Sequence, residues 1–335
     1  MREPAMPLYG EKENFRRVLR RDRPSHVCHP PPSRGADYFG AWPSHSRPGS
    51  DAIAWRDEWG VRWEVREGEA FPVGPAVPTY EAASELATPD PREPRRMAPI
   101  SDVAARIDRE QSFLSVGHPY FLYEKAINIL GPEQFGVAML AAPAAAHRLL
   151  DTILDFELAI AEQYLAFGID HVTFSDDYGH QDRLAMSPEC WREFVKPRLA
   201  RAVAFYRERL GSEAVIGLHS CGHVMPILQD LMEVGLDILH PVQSRANDLQ
   251  RMRRITSGSM TLAGGIDGQH VLPLGDASDV REEVFRKMDM LWEGGGYLPM
   301  AEKTHGVPPE NVAAMQEAIR DWSRANVEPE PSDAS

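Results

Sequence analysis

The chain has 335 residues, 43% hydrophobic and 26% charged, the proportions of an ordinary globular protein with room for one large α/β domain or two smaller ones. A formal net charge of −14 argues against a nucleic-acid binder, whose phosphate contacts need a basic face. Three cysteines, Cys28, Cys190 and Cys221, are too few and too scattered for a disulfide framework, so a reduced, cytoplasmic setting is expected.

The first predicted element is an amphipathic helix over residues 11–23, with Phe15, Val18 and Leu19 on one face and a solvated row of arginines on the other. The charged, proline-containing start offers no apolar secretory leader. His26, Cys28 and His29 resemble a metal cluster, but the segment is very short and runs into three prolines, so no metal site is expected there. From Pro30 to about Ile100 the chain is rich in Pro, Trp and Gly and reads as an excursion. Within it, residues 57–64 alternate like a strand whose hairpin partner is 71–77.

Beyond Pro99 the pattern becomes regular. Residues 112–117 predict a buried strand, with helices at 119–130, 132–140 and 143–167. The most apolar stretch, 137–150, is short and carries Pro143 and His147, so no membrane span is expected. Strands follow at 170–175, 214–219, 237–241, 260–264 and 297–300, each succeeded by a helix, the last over 308–322. Such alternation implies parallel βα units. The expected fold class is α/β, a closed (β/α)8 TIM barrel, rather than an open doubly wound sheet. Gly264-Gly265 and Gly294-Gly295-Gly296 lack the spacing of a dinucleotide-binding turn. Residues 1–100 would be a helix and an excursion or lid of the same domain, 101–325 the barrel core, and 326–335 a disordered acidic tail.

In such a barrel the chemistry sits at the carboxyl ends of the strands. The most informative stretch is 215–222, an apolar run ending in His219, Ser220, Cys221 and Gly222. His219 and Cys221 are two apart, so an extended backbone puts both on one face, and imidazole and thiolate are good zinc donors. The other strand ends carry Asp176, Asp177, Tyr178, His180 and Gln181, then Gln243, then Asp267 and Gln269, then Glu302, Lys303 and His305. Any one has a bland reading: Asp176, Asp177 or Asp267 can simply cap a turn. His118 is a further pocket candidate. His171 and His240 lie within strands and read as core or second-layer residues, His223 as either mouth or cap, and Cys190 as a packed thiol.

Residues 175–198 (SDDYGHQDRLAMSPECWREFVKPR), 217–243 (GLHSCGHVMPILQDLMEVGLDILHPVQ), 262–275 (LAGGIDGQHVLPLG), 294–300 and 307–315 together resemble the uroporphyrinogen decarboxylase superfamily. That resemblance runs from about 100 to 322 and implies a single (β/α)8 barrel. One branch, the true decarboxylases, works without a cofactor on a porphyrinogen with many carboxylates and has an arginine-rich N-terminal loop. That loop is missing after Pro24, although Arg16, Arg20 and Arg34 remain available for carboxylates. The other branch comprises methyltransferases acting on a cobamide or a methylated small molecule, with a His-x-Cys pair where His219 and Cys221 stand. Their third zinc ligand is a later cysteine. This chain has none beyond Cys221, so His305 or Glu302 would substitute.

The resemblance therefore implies zinc on His219, Cys221 and His305. Asp176, Asp177 and Asp267 would orient the reactants, while His118, Tyr178, Gln181 and Gln243 would contact substrate. The expected function is zinc-dependent methyl transfer to a thiol or cobamide, with a corrinoid as substrate or partner-bound cofactor, a corrinoid protein as partner and a homodimer as the assembly. Decarboxylation of a tetrapyrrole with Asp177 or Asp267, or a non-catalytic subunit of a corrinoid system, are the other readings.

Overall fold

The computed structural model describes residues 9–29, 31–35, 52–66, 68–303 and 306–327. Among these residues ten strands form two sheets: β1 (Ser33–Gly35), β2 (Ala54–Arg56), β3 (Arg62–Arg66), β4 (Glu69–Gly74), β5 (Phe113–His118), β6 (His171–Ser175), β7 (Val215–His219), β8 (Ile238–His240), β9 (Thr261–Ile266) and β10 (Tyr297–Ala301). Seven build one parallel sheet in the order β1-β5-β6-β7-β8-β9-β10, sequential apart from the excursion. β2, β3 and β4 make a separate antiparallel sheet. The fold is thus mixed α/β, as expected. Among the described residues no ladder joins β10 to β1; instead the segment before β1 reaches across, with His29 beside the Pro299 backbone.

Alternation along the strands gives the main sheet two apolar faces. Leu114, Val116, Val172, Phe174, Ile216, Leu218, Leu239 and Leu262 belong to the large core under the helices. Phe113, Val215, Ile238, Ala263 and Leu298 form a second, smaller cluster on the opposite face. The helix α1 (Glu11–Arg20) closes that face by burying Phe15 and Val18 into it. α1 stops three residues short of the expected 23, because Arg21 takes a left-handed conformation (φ 56°) and turns its N–H back to the Arg17 and Val18 carbonyls.

Three boundaries differ from the sequence expectation. Residues 57–61 form a turn rather than a strand, because the Asp57 carboxylate accepts the Trp59 and Val61 N–H groups (2.9 and 3.0 Å) and the Trp63 indole N–H (2.9 Å). The excursion then docks Trp59 edge-on to Phe156 (5.0 Å) and Trp63 to Tyr120 (5.5 Å). The helix expected from 119 begins at Tyr123, since residues 119–122 form a turn with Tyr120 at φ 50°. The closing helix runs Pro309–Asn326, four residues past its expected end. Most of the acidic tail lies outside the described residues. Among the described residues, no helix is long and apolar enough to cross a membrane.

Candidate metal centre at the carboxyl ends of the strands

β7 delivers His219 at its last position, and the chain continues extended so that Cys221 follows on the same side. The Cys221 Sγ lies 3.5 Å from His219 Nε2. From the end of β6, Asp177 joins them: its Oδ1 accepts the Cys221 backbone N–H (2.8 Å) and stands 3.7 Å from His219 Nε2. One nitrogen, one sulfur and one oxygen donor therefore lie within 4.8 Å of one another, all three side chains half-buried. Asp177, expected to orient reactants, thus stands among the ligand candidates. His305, the expected third ligand, lies outside the described residues.

The loops carrying these groups are locked backbone to backbone. A Cβ on Gly222 (φ 80°) would stand 2.2 Å from the Gly179 carbonyl oxygen, so only glycine fits between the 176–180 and 219–223 loops. The His223 N–H donates to the His180 carbonyl (2.7 Å), and the Gly222 N–H to Gln243 Oε1 (2.7 Å). Gln243 therefore shapes the Cys221 loop. The His223 ring is bound to the Ala246 carbonyl (2.6 Å).

His240, at the end of β8, touches the cluster directly through a His219 Nδ1 to His240 Nδ1 contact of 2.9 Å. Burial lowers both imidazoles, with Asp177 partly restoring His219, and His240 falls to about 3. Both rings are thus neutral at physiological pH. The Cys221 thiol is pushed up by burial and then by Asp177, with Glu124 and Glu302 adding to the effect. Glu124 is itself raised well above the carboxylate range, by burial and by its neighbours Asp177 and Asp176. Sequence reasoning missed Glu124, although it too follows the carboxyl end of a strand, β5.

Several expected site residues do other work. Asp176 is fully buried and accepts the Leu122, Tyr123 and Glu124 N–H groups (3.2, 2.9 and 2.8 Å), capping helix Tyr123–Leu130. Burial outweighs those bonds and raises its carboxyl to about 6. Asp267 accepts from Arg245 (2.7 Å), Gln269 N–H (2.8 Å) and His270 N–H (2.9 Å). Burial alone would raise Asp267, but these partners hold it low. Tyr178 is sealed against Trp191 (5.5 Å), and Gln181 is exposed in the loop after β6. His118 points to the helix-covered face, bound to Glu157 (2.8 Å) and Tyr206 (2.6 Å). Glu302 is buried; Oε1 accepts the Ser244 N–H (2.5 Å), while Oε2 has no partner among the described residues.

Below His219 and His240 a cavity of about 490 Å³ opens on the inner face of the main sheet. It exists because the inward positions are small: Thr173 and Ser175 on β6, Gly217 on β7 and Ala263 on β9. Phe15 of α1 and Ile238 form part of its wall.

Comparison with known proteins agrees with the sequence resemblance. The family model described as uroporphyrinogen decarboxylase (URO-D) matches residues 49–322. The methylcobamide:CoM methyltransferase MtaA of Methanosarcina barkeri (strain Fusaro / DSM 804) is 28% identical over 170 residues, 50% of this chain and 46% of that protein. The match thus spans about half the length of that relative. The uroporphyrinogen decarboxylase of Gluconobacter oxydans (strain 621H) is 22% identical over 263 residues, 74% of this chain and 71% of that one. A solved structure, a methyltransferase from Methanosarcina mazei, superposes with a TM-score of 0.63 at 19% identity, covering 79% of this chain and 76% of that one. It shares the fold.

Proposed function

The chain belongs to the uroporphyrinogen decarboxylase family, and from that premise we propose that it is a zinc-dependent methyltransferase. The methyl group leaves a methylated small molecule or a methyl-corrinoid and bonds to a thiol or cobamide acceptor. We further propose that the parallel sheet is the wall of a (β/α)8 barrel, with residues 1–100 in the same domain as 101–325, the excursion forming a lid, and a corrinoid protein as partner. Relatives named as methyltransferases, in sequence and in structure, support the reaction class.

The observation that carries the reading is the convergence of Asp177, His219 and Cys221 within 4.8 Å. Their chemistry fits a divalent cation. A neutral imidazole offers a lone pair, and a thiol surrounded by Asp177, Glu124 and Glu302 ionises only when positive charge is supplied. The partnerless buried Glu302 Oε2 points the same way. Zinc bound there would act as a Lewis acid that lowers the pKa of an acceptor thiol towards neutrality.

The protein's own groups hold the geometry. His240 fixes the His219 ring through the Nδ1 contact, which leaves Nε2 turned to Cys221 and Asp177. Gln243 and Asp177 hold the Cys221 loop by its backbone N–H groups. Glu124, raised by burial and by its neighbours Asp177 and Asp176, is the carboxyl placed to pass a proton to the departing heteroatom.

The decarboxylase reading is less well supported, because among the described residues no Lys or Arg lines the cavity to receive the carboxylates of a porphyrinogen. A single experiment separates the two. Purified protein is supplied with a methyl-corrinoid and a thiol, with and without a chelator. Thioether formation that stops on chelation is expected. Decarboxylation of a porphyrinogen that continues with chelator would overturn the proposal.

A further inference from the structure

The cavity wall says what kind of molecule the pocket takes. Among the described residues that line it, Phe15, Ile238, Ala263, Leu298 and Met300 are apolar, and none is Lys, Arg, Asp or Glu. Its polar groups are neutral: Ser175, Thr173 and three imidazoles. His171 is already bound to Ser115 (2.8 Å) and Thr173 (3.4 Å). Two cations of α1, Lys12 and Arg16, reach the Phe113 ring (4.8 and 5.2 Å) and pair with Asp170 and Glu213, so they do not serve the cavity.

Two polar atoms on the wall have no hydrogen-bond partner among the described residues, the Ser175 hydroxyl and one ring nitrogen. His240 Nδ1 is engaged with His219 Nδ1, and Nε2 has no partner among the described residues. When His219 Nδ1–H donates to His240 Nδ1, the His240 proton sits on Nε2. The cavity then presents a single N–H donor in an apolar, uncharged enclosure of about 490 Å³, the size of a small-molecule site.

We infer that this cavity binds a neutral, mainly apolar methyl ether whose oxygen accepts a hydrogen bond from His240 Nε2–H, and that this ether is the methyl donor. The inference rests on the methyltransferase reading above and gives it a substrate class. The O–CH3 bond breaks and an S–CH3 bond forms on the acceptor thiol. The thiol loses its proton, and the ether oxygen gains one and leaves as an alcohol or phenol. No oxidant or reductant is needed. An anionic donor is disfavoured, because an unpaired charge would be desolvated against apolar walls.

The test is calorimetric titration of the full chain with methoxybenzene, 4-methoxybenzoate and toluene, which share one ring. Methoxybenzene is expected to bind at least about tenfold more tightly than the carboxylate, and about threefold to tenfold more tightly than toluene, which has no acceptor. Gly217→Leu should fill the cavity and weaken methoxybenzene by about tenfold or more. A Cβ there meets only Ile238 and Thr173 at an ordinary 3.7 Å. Ala263→Val is the second, milder filling variant should the first fail to fold.

Equal or tighter binding of 4-methoxybenzoate overturns the inference, as does methoxybenzene affinity indifferent to both filling variants. Methoxybenzene binding without methyl transfer to a thiol or a cobamide leaves the pocket assignment standing and overturns the ether as methyl donor; no transfer from a methyl-corrinoid either would sink the methyltransferase reading itself. Transfer from an anionic donor by a protein that ignores methoxybenzene sinks the pocket assignment alone.

Discussion

His219 and His240 are register partners on β7 and β8, and their Nδ1 atoms stand 2.9 Å apart. The strand pairing thereby sets the tilt of the ring that faces Cys221. In metal sites such a supporting contact fixes the tautomer, and losing it weakens metal binding about tenfold to a hundredfold. His240→Phe should therefore lower zinc affinity by that amount while His219 and Cys221 remain in place. Competition with a fluorescent chelator measures it, and an unchanged affinity would remove His240 from the site.

Zinc content is the direct check on the cluster itself. Elemental analysis of purified protein is expected to give about one zinc per chain. Cys221→Ser should bring this close to zero, and Asp177→Asn should lower the affinity. A Cys221→Ser protein with its zinc intact ends the metal proposal.

Asp176 and Asp177 are consecutive but should behave differently. Asp176→Ala leaves three helix N–H groups without their acceptor, which costs about 1–2 kcal/mol for a lost cap. Urea unfolding should show that loss while zinc content stays unchanged. Zinc loss without destabilisation would reverse the two assignments.

Gly222→Ala tests the loop lock. A left-handed conformation alone costs a non-glycine residue about 1–3 kcal/mol, and here the new methyl also meets the Gly179 backbone at 2.2 Å. A lower melting temperature together with impaired zinc binding is expected. A variant with wild-type values for both would show that the loops are free to separate.

Acid should destabilise the protein in a defined window. Burial lowers His171 to about 4 from an ordinary value of 6.5, so as pH falls the unfolded chain takes its proton first. The contribution of neutral His171 is intact above pH 6.5 and is lost progressively towards pH 4. His240, lowered to about 3, adds to the loss, whereas Asp176, raised to about 6, opposes it. Urea midpoints across this range should fall, and His171→Leu should reduce the slope by about one proton, or about 1.4 kcal/mol per pH unit. An unchanged slope would mean that His171 titrates normally.

Apart from β1, the strands of the main sheet and the helices between them were legible in the sequence because their pattern is local. Apolar runs at 113–118, 171–175, 215–219 and 261–266 are buried on both faces, and each is followed by helical periodicity. The adjacency of His219 and Cys221 was legible for the same reason, since a two-residue spacing fixes a shared face on extended chain. The strand expected at 57–64 was not, because the Asp57 side chain bonds its own following backbone and overrides the alternation.

Which of the polar strand-end residues meet is another matter. Asp177 joins His219 and Cys221 while its neighbour Asp176 turns inward to a helix end, and nothing in the local pattern says which of the two faces which way. Glu124, about fifty residues before Asp177, enters only because Asp176 anchors its helix beside the site. The cavity is likewise a sum over strands, from Thr173 to Gly217 to Ala263, each unremarkable alone. Sequence periodicity determines each element through near neighbours along the chain. Tertiary register between strands decides convergence, because it alone brings distant side chains within ligand distance.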